Sequence, residues 1–294
     1  LNLKWVRIDN EYKKVKVIIK KGGEIVEKII PSVAVRAEDV GAFGDLANVD
    51  YKEDEMLLNY EGVNYLLGEL AIEQDSRAGS QNFKEDKYLD IEEKIKFLGI
   101  LSLIYDEDSI NIENLVVGLP ISIHKSHKEE FINEFKNKTF PYAIPDGEGG
   151  FINKKVSIQN VICLPQGIAA YYDLIFGWDG KPNNPNLLNV RYGLVDLGGK
   201  TTEAFIADGK KPILGSDESF DDGATQVFDE VSKEFNNAPV PLIEMVFLGK
   251  KKNEIWKGMK LNQESIKVAC RPKFKKLAEK IYNELIRRWK DKKN

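Results

Sequence analysis

The sequence predicts an α/β protein of two domains, and three observations carry that prediction. Short strand-like runs joined by tight turns alternate with stretches of helical spacing. The chain has 294 residues, more than one small core requires and enough for two. A Pro/Asn/Gly-rich stretch at 177–186 follows a short helical run and reads as a linker. The expected division is a first domain at 1–164, a connecting helix and linker at 165–186, and a second domain at 187–294.

The elements follow in order. Residues 5–8 and 15–19 read as strands, a turn at Gly22-Gly23 leads to a third alternating run at 24–30, and Pro31 ends it. A loop is expected at 37–49. A hairpin follows at 56–60 and 63–67 around Glu61-Gly62, and Gly68 opens a short helix at 69–74. A polar loop at 75–87 precedes Ile91, Ile95, Leu98, Leu101 and Ile104, which recur at helical spacing. A buried-type strand is expected at 114–118, and a helix at 126–137 with Phe131 and Phe135 one turn apart. A further strand spans 155–164, and Pro165-Gln166-Gly167 opens a helix at 168–176. The second part starts with a strand at 190–196, a Gly198-Gly199 turn and a returning strand at 202–207. A short strand at 212–214, a helix at 224–235 and a long helix at 265–290 complete it; in the last, Leu277, Ile281, Leu285 and Trp289 repeat every four residues.

Composition excludes several classes of function. Hydrophobic residues make up 42% and charged residues 31%, and the net charge of -4 leaves no basic footprint for direct nucleic-acid binding. No apolar run approaches the ~20 residues of a membrane span, so no membrane role is expected. Two cysteines, Cys163 and Cys270, cannot build a disulfide framework, which fits a cytoplasmic protein.

The strongest chemical signal is Leu194-Val195-Asp196-Leu197-Gly198-Gly199-Lys200-Thr201-Thr202. A hydrophobic strand ends in Asp, turns through two glycines and returns through two threonines. Glycines let backbone amides approach an anion closely, and successive N–H groups in such a turn form a concave anion site. Threonine hydroxyls can donate to phosphate oxygens. A strand-end Asp can hold the hydration shell of Mg²⁺, which gives up its waters reluctantly. The competing reading is an ordinary hairpin. The second signal is Gln166 at a helix start, where an uncharged amide can orient an attacking water; alone, it reads equally as a polar first-turn residue.

Together, in this order, these pieces resemble the actin-like ATPases, in particular the bacterial and archaeal actin-like proteins of the ParM type. Val116-Val117-Gly118-Leu119-Pro120, then Leu164-Pro165-Gln166-Gly167, then the Asp196 turn carry the resemblance, with Ile30-Pro31-Ser32-Val33 and residues 65–71 upstream. The resemblance implies two domains with duplicated RNase H-like cores and ATP (or GTP) bound with Mg²⁺ between them. It implies Asp196 and Asp9 as magnesium residues acting through water, Gln166 as the residue that orients water, and Gln166 and Asp196 as the catalytic pair. Asp9, Lys16, Gly198, Gly199, Lys200, Thr201, Thr202 and Gly223 would bind the cofactor, with Gly198, Gly199, Thr201 and Thr202 at its phosphates and Gly223 near the nucleoside. It further implies self-association into filaments, a DNA-bound adaptor as partner, and a role in plasmid or phage DNA segregation.

Two departures from the family pattern bear on activity. Glu11 and Lys13 stand where the first phosphate hairpin carries glycines. A carboxylate ~4 Å from a phosphate charge repels it by roughly 1 kcal/mol in water and ~4 kcal/mol at an effective dielectric of 20. The sequence given ends at Asn294 without the family's Gly-Gly-Gly strand against the adenosine, so an incomplete second domain is expected. Both favour the alternative, a degenerate, non-hydrolysing actin-fold scaffold. A metabolite kinase of the same superfamily ranks last, for want of a catalytic base. His124 and His127 are spaced for a metal pair without a third ligand, and Asp106-Glu107-Asp108 reads as a surface turn. Lys250-Lys251-Lys252 and the basic run at 290–293 read as solvated surface, and Cys163 as a buried strand residue.

Overall fold

The structure is a computed structural model and describes residues 1–10, 14–21, 23–40, 51–53, 55–74, 90–177, 181–213 and 215–290. Glu11, Lys13, Gly22, Leu214, the 75–87 loop and most of the 37–49 loop lie outside the described residues. The chain forms two compact units, Leu1–Gln166 and Gly167–Asn294.

In the first unit, β1 (Asn2–Asn10), β2 (Lys14–Lys21) and β3 (Glu24–Pro31) run as an antiparallel meander. On its other side β1 pairs in parallel with β7 (Ser109–Leu119), and β7 in parallel with β9 (Phe151–Pro165). Antiparallel β8 (Lys138–Pro145) comes next, then β5 (Leu57–Tyr60), β6 (Val63–Leu67) and β4 (Ala34–Arg36). The result is a nine-stranded sheet in the order β3-β2-β1-β7-β9-β8-β5-β6-β4. Alternate residues Val6, Ile8, Val15, Val17, Ile19, Leu115 and Val117 are buried, as one face of a pleated sheet demands. They share a core with Ile95, Leu98 and Leu101 of α2 (Ile91–Ile104) and with Phe131 and Phe135 of α3 (Ile121–Phe135). The two α3 rings stack at 4.9 Å between centroids.

Two expectations in this unit shift. The α3 helix starts at Ile121, five residues before its expected start, directly after Pro120 at its N-cap. Strand β8 is unanticipated because it contains Pro141, which cannot donate to a ladder. It is tolerated because, among the described residues, β8 and β5 pair only at Asn59↔Ala143, which leaves most of that edge unladdered.

An ion pair sits inside this core. Lys96 Nζ donates to Glu93 Oε1 at 2.6 Å and to Ser32 Oγ at 2.9 Å, joining α2 to the end of β3. Both charged residues are buried, and among the described residues Glu93 Oε2 has no hydrogen-bond partner. Removing one member of such a pair strands a charge in the interior.

In the second unit, β10 (Arg191–Leu197) and β11 (Thr202–Asp208) form a hairpin. The short β12 (Lys211–Pro212) and β13 (Glu218–Phe220) pair in turn with the far side of β11. Strand β11 is covered on both faces. Phe205 and Ala207 pack with Tyr171 and Ile175 of α4 (Gln166–Ile175). Ala204 packs with α5 (Ala224–Glu234), α6 (Val240–Phe247) and α7 (Gln263–Trp289). A Cβ at Gly167 would stand 3.2 Å from the Phe205 ring, so this glycine lets α4 lie close on β11. Asn262 caps α7 by accepting from Ser265 N at 2.9 Å. The helix α6 and the ribbon β14 (Glu254–Trp256) with β15 (Met259–Leu261) are likewise unanticipated. The ribbon turns through Lys257 (φ 44°) and Gly258 (φ 78°), a two-residue turn of primed type whose Lys gives none of the usual Asn-Gly signal.

The buried pair yields a stability test. Lys96→Met is expected to destabilise the first unit by about 3–5 kcal/mol. The double variant Lys96→Met/Glu93→Leu should recover most of that loss in urea denaturation.

Candidate functional site

Each unit carries one group of the expected site residues. In the first, three parallel strands end at the same edge of the sheet. Asp9 near the end of β1 lies in register with Gly118 of β7 and, on the other side, with Lys16 of β2. Gly118 is in turn opposite Leu164 of β9, and Leu119 opposite Pro165, after which α4 begins with Gln166. In open α/β sheets the carboxyl ends of the strands are where ligands bind. This topology therefore gathers Asp9, Gly118 and Gln166 although they are far apart in the chain.

The side chains meet there. Gln166 Nε2 donates to Asp9 Oδ1 at 3.4 Å. Burial pushes the Asp9 carboxyl above the usual carboxylate range, an effect opposed by the charges of Arg7 and Lys16 and by the Gln166 hydrogen bond. A strand-end carboxylate is the kind of group that can hold a hydrated Mg²⁺ through its waters, while Arg7 and Lys16 beside it would compete with the cation. Lys16, an expected cofactor-binding residue, has its ammonium 3.1 Å from Glu27 Oε2 on β3, a half-exposed pair of small worth. Glu11 and Lys13, the departures at the hairpin tip, lie outside the described residues.

In the second unit, the β10–β11 hairpin closes with Leu197 opposite Thr202 and Asp196 opposite Glu203. Gly198 N donates to Thr201 O at 2.9 Å. The turn is fastened to the start of α5, where Ala224 N donates to Gly198 O at 3.0 Å and Thr225 N to Gly199 O at 2.8 Å. A Cβ at Gly223 would fall 2.3 Å from Gly199 O and 2.5 Å from the Lys200 carbonyl carbon, so only glycine allows this approach. Thr202 is buried and spends its hydroxyl on Asp222 O. Asp222 is also held by Lys280 of α7, Nζ to Oδ1 at 2.7 Å. The result is a rigid two-glycine turn of the kind that lets backbone come close to an anion. Asp196 stands half-buried at its start.

The histidines do not converge. His124 Nε2 lies 3.3 Å from Cys163 O, and His127 Nδ1 lies 2.6 Å from Ser126 Oγ. Burial lowers the affinity of His124 for a proton. It also raises the Cys163 thiol to about 11, which leaves that thiol inert at neutral pH. Among the described residues no group of His, Cys, Asp or Glu is arranged to ligate a metal directly, and no helix is long and apolar enough to cross a membrane.

Arg7 and Gly118 join the site without having been candidates for it. Arg7 stands two residues before Asp9 on one strand, hence on the same sheet face. Gly118 lies inside a strand, where a glycine often marks a close approach. Those two spacings are the signals in the sequence that could have found them.

Comparisons with known proteins agree with this architecture. The N-terminal domain of actin-like proteins matches residues 8–168. The C-terminal domain of the archaeal MreB-like actin homologues matches residues 194–294. No curated protein matches by sequence. Among solved structures, the actin-like protein Alp7A is 18% identical with a TM-score of 0.74, over 98% of this chain and 80% of that one. The archaeal actin homologue Ta0583 is 15% identical with a TM-score of 0.71, over 97% and 82%. A non-polymerisable quadruple mutant of pCBH ParM is 21% identical with a TM-score of 0.68, over 100% and 86%. The chain belongs to the actin-like protein family, and its fold is the two-domain actin-like ATPase fold.

The fastening of the turn is open to test. Gly223→Ala should detach the Gly198-Gly199 turn from α5, at a cost of about 1–3 kcal/mol for the overpacked methyl. The Thr225 amide, which is bonded to Gly199 O, should then exchange its hydrogen markedly faster.

Proposed function

We propose that this chain is a filament-forming, nucleotide-binding actin-like protein of the ParM type. It binds ATP (or GTP) with Mg²⁺ through Asp9 and Lys16 of the first hairpin and through Asp196, Gly198, Gly199, Lys200 and Thr201 of the second. The observation that carries the reading is the meeting of Asp9 and Gln166 at the carboxyl ends of three parallel strands. The rigid glycine turn after Asp196 supports it from the second unit. Ta0583, of the same fold, has been solved in complex with ADP. AlfA from the B. subtilis plasmid pLS32 has been solved as a filament.

In this reading Mg²⁺ neutralises the charge of the phosphates when bound. The chain's own residues do the rest. Asp196 and Asp9 would hold the hydrated metal, and the turn at 198–201, whose Gly198 amide is already bonded to Thr201 O, would hold phosphate oxygens through its remaining amides. Thr202 holds the turn in shape through Asp222, and Gly223 allows close approach beside the nucleoside. Gln166 orients the attacking water as an uncharged amide, and so needs no proton of its own. Nucleotide favours polymerisation and hydrolysis loosens the polymer. Plasmid or phage DNA positioning in the cytoplasm, through a DNA-bound adaptor, is the role proposed for the filament.

The pairing of Lys16 with Glu27 favours a second reading, a non-hydrolysing scaffold on the same fold, because phosphate would have to draw Lys16 away from Glu27.

Calorimetry and sedimentation separate the two. The first reading expects ATP with Mg²⁺ to bind with a Kd of about 1–10 μM, that is about -7 to -8 kcal/mol, and to drive the protein into the pellet. Asp196→Ala should abolish phosphate release. Nucleotide binding without turnover would select the scaffold; neither binding nor pelleting would defeat the proposal.

A further inference from the structure

We infer that Gly118 is a positioning residue: the bare space above its Cα is what lets the Gln166 side chain reach Asp9. A glycine is costly at this place. Gly118 lies inside β7, paired on both sides, with Asp9 of β1 and Leu164 of β9. A glycine within a strand is destabilising by roughly 0.5–1 kcal/mol relative to alanine. Its backbone is outside the left-handed region, so the conformation does not require glycine. What the missing side chain provides is room.

The occupants of that room are specific. A Cβ built at Gly118 would stand 3.1 Å from Gln166 Cγ, 3.7 Å from Gln166 Cα and 3.7 Å from Asp9 Oδ1. The first distance is well inside normal carbon–carbon contact, so Gln166 would have to retreat by a few tenths of an ångström. The Gln166 Nε2–Asp9 Oδ1 hydrogen bond is already long at 3.4 Å, and bonds of that length have little reserve. One methyl group at 118 thus breaks the contact without touching Asp9 closely. Gly118 itself touches no reacting atom in this scheme; it acts through Gln166.

The contact between Gln166 and Asp9 belongs to the first unit alone. Its consequence for turnover rests on the proposed role of Gln166. Two readouts keep these apart. In the nucleotide-free protein, Gly118→Ala should displace the Gln166 side-chain amide resonances in NMR, while the thermal midpoint stays level or rises, since alanine suits a strand better. Unmoved Gln166 resonances would overturn the inference, whatever the activity.

In the ATPase assay, Gly118→Ala should lower kcat by about 10- to 100-fold, the scale of a slight misplacement, with KM for ATP within about twofold of the parent. In a Gln166→Ala background the same substitution should change kcat by less than about twofold, because the group it displaces is gone. Equal losses in both backgrounds would also overturn the inference. A parent protein without turnover would sink the proposed hydrolysis, and the NMR readout would then decide the positioning claim.

Discussion

The parallel ladder β1–β7–β9 is the constraint on which the first unit depends. Parallel strands run the same way, so their carboxyl ends share one edge of the sheet, and the segment after each strand emerges there. Here that edge carries Asp9, Gly118 and, one residue past β9, Gln166. Register is strict because the opposite face is buried: a slip of one residue would turn Val6, Ile8, Leu115 and Val117 out of the core. The same hydrophobic alternation that stabilises the sheet therefore fixes which side chains stand at its end. Burial then acts on Asp9, making its carboxyl harder to ionise, while Arg7 and Lys16 oppose the effect.

The second unit solves a different problem. A two-glycine turn is soft by itself, since glycine has the largest conformational freedom to lose. The turn after Asp196 is stiffened from outside. The first amides of α5, which no intrahelical carbonyl can satisfy, are spent on Gly198 O and Gly199 O. Thr202 and Lys280 then hold Asp222, and Gly223 supplies the clearance that makes the approach possible. Helix capping and turn rigidity are one set of hydrogen bonds here. A buried Phe205 packed against Tyr171, with ring centroids 5.6 Å apart, supports the strand on the far side of the turn.

These features sit in a fold retained at 15–21% identity to the solved relatives compared above. Few individual residues need to match at that level; what must persist is alternation in the strands, helical spacing between them, and small residues where backbone approaches backbone. Function does not follow from fold; in the proposed activity, nucleotide binding rests on Asp9, Gln166 and the Asp196 turn, and filament formation on the likeness alone.

The sequence alone determined the α/β class, the strands at 15–19, 24–30 and 202–207, the long final helix, and the turn after Asp196. All of these are local: alternation, helical spacing and glycine punctuation act over a few residues and are visible in a single string. It could not show β8, whose Pro141 argues against a strand until the nearly bare edge facing β5 is known. Nor could it reveal the β14–β15 ribbon, whose Lys257-Gly258 turn lacks the usual residues. Likewise hidden were the donation from Gln166 to Asp9, the space at Gly118 that permits it, and the diversion of Thr202 to Asp222 and of Lys16 to Glu27. Each of these joins residues that the chain separates and that only sheet register or helix docking brings together. Tertiary structure decided them because a contact of that kind depends on distance through space, which sequence spacing does not encode.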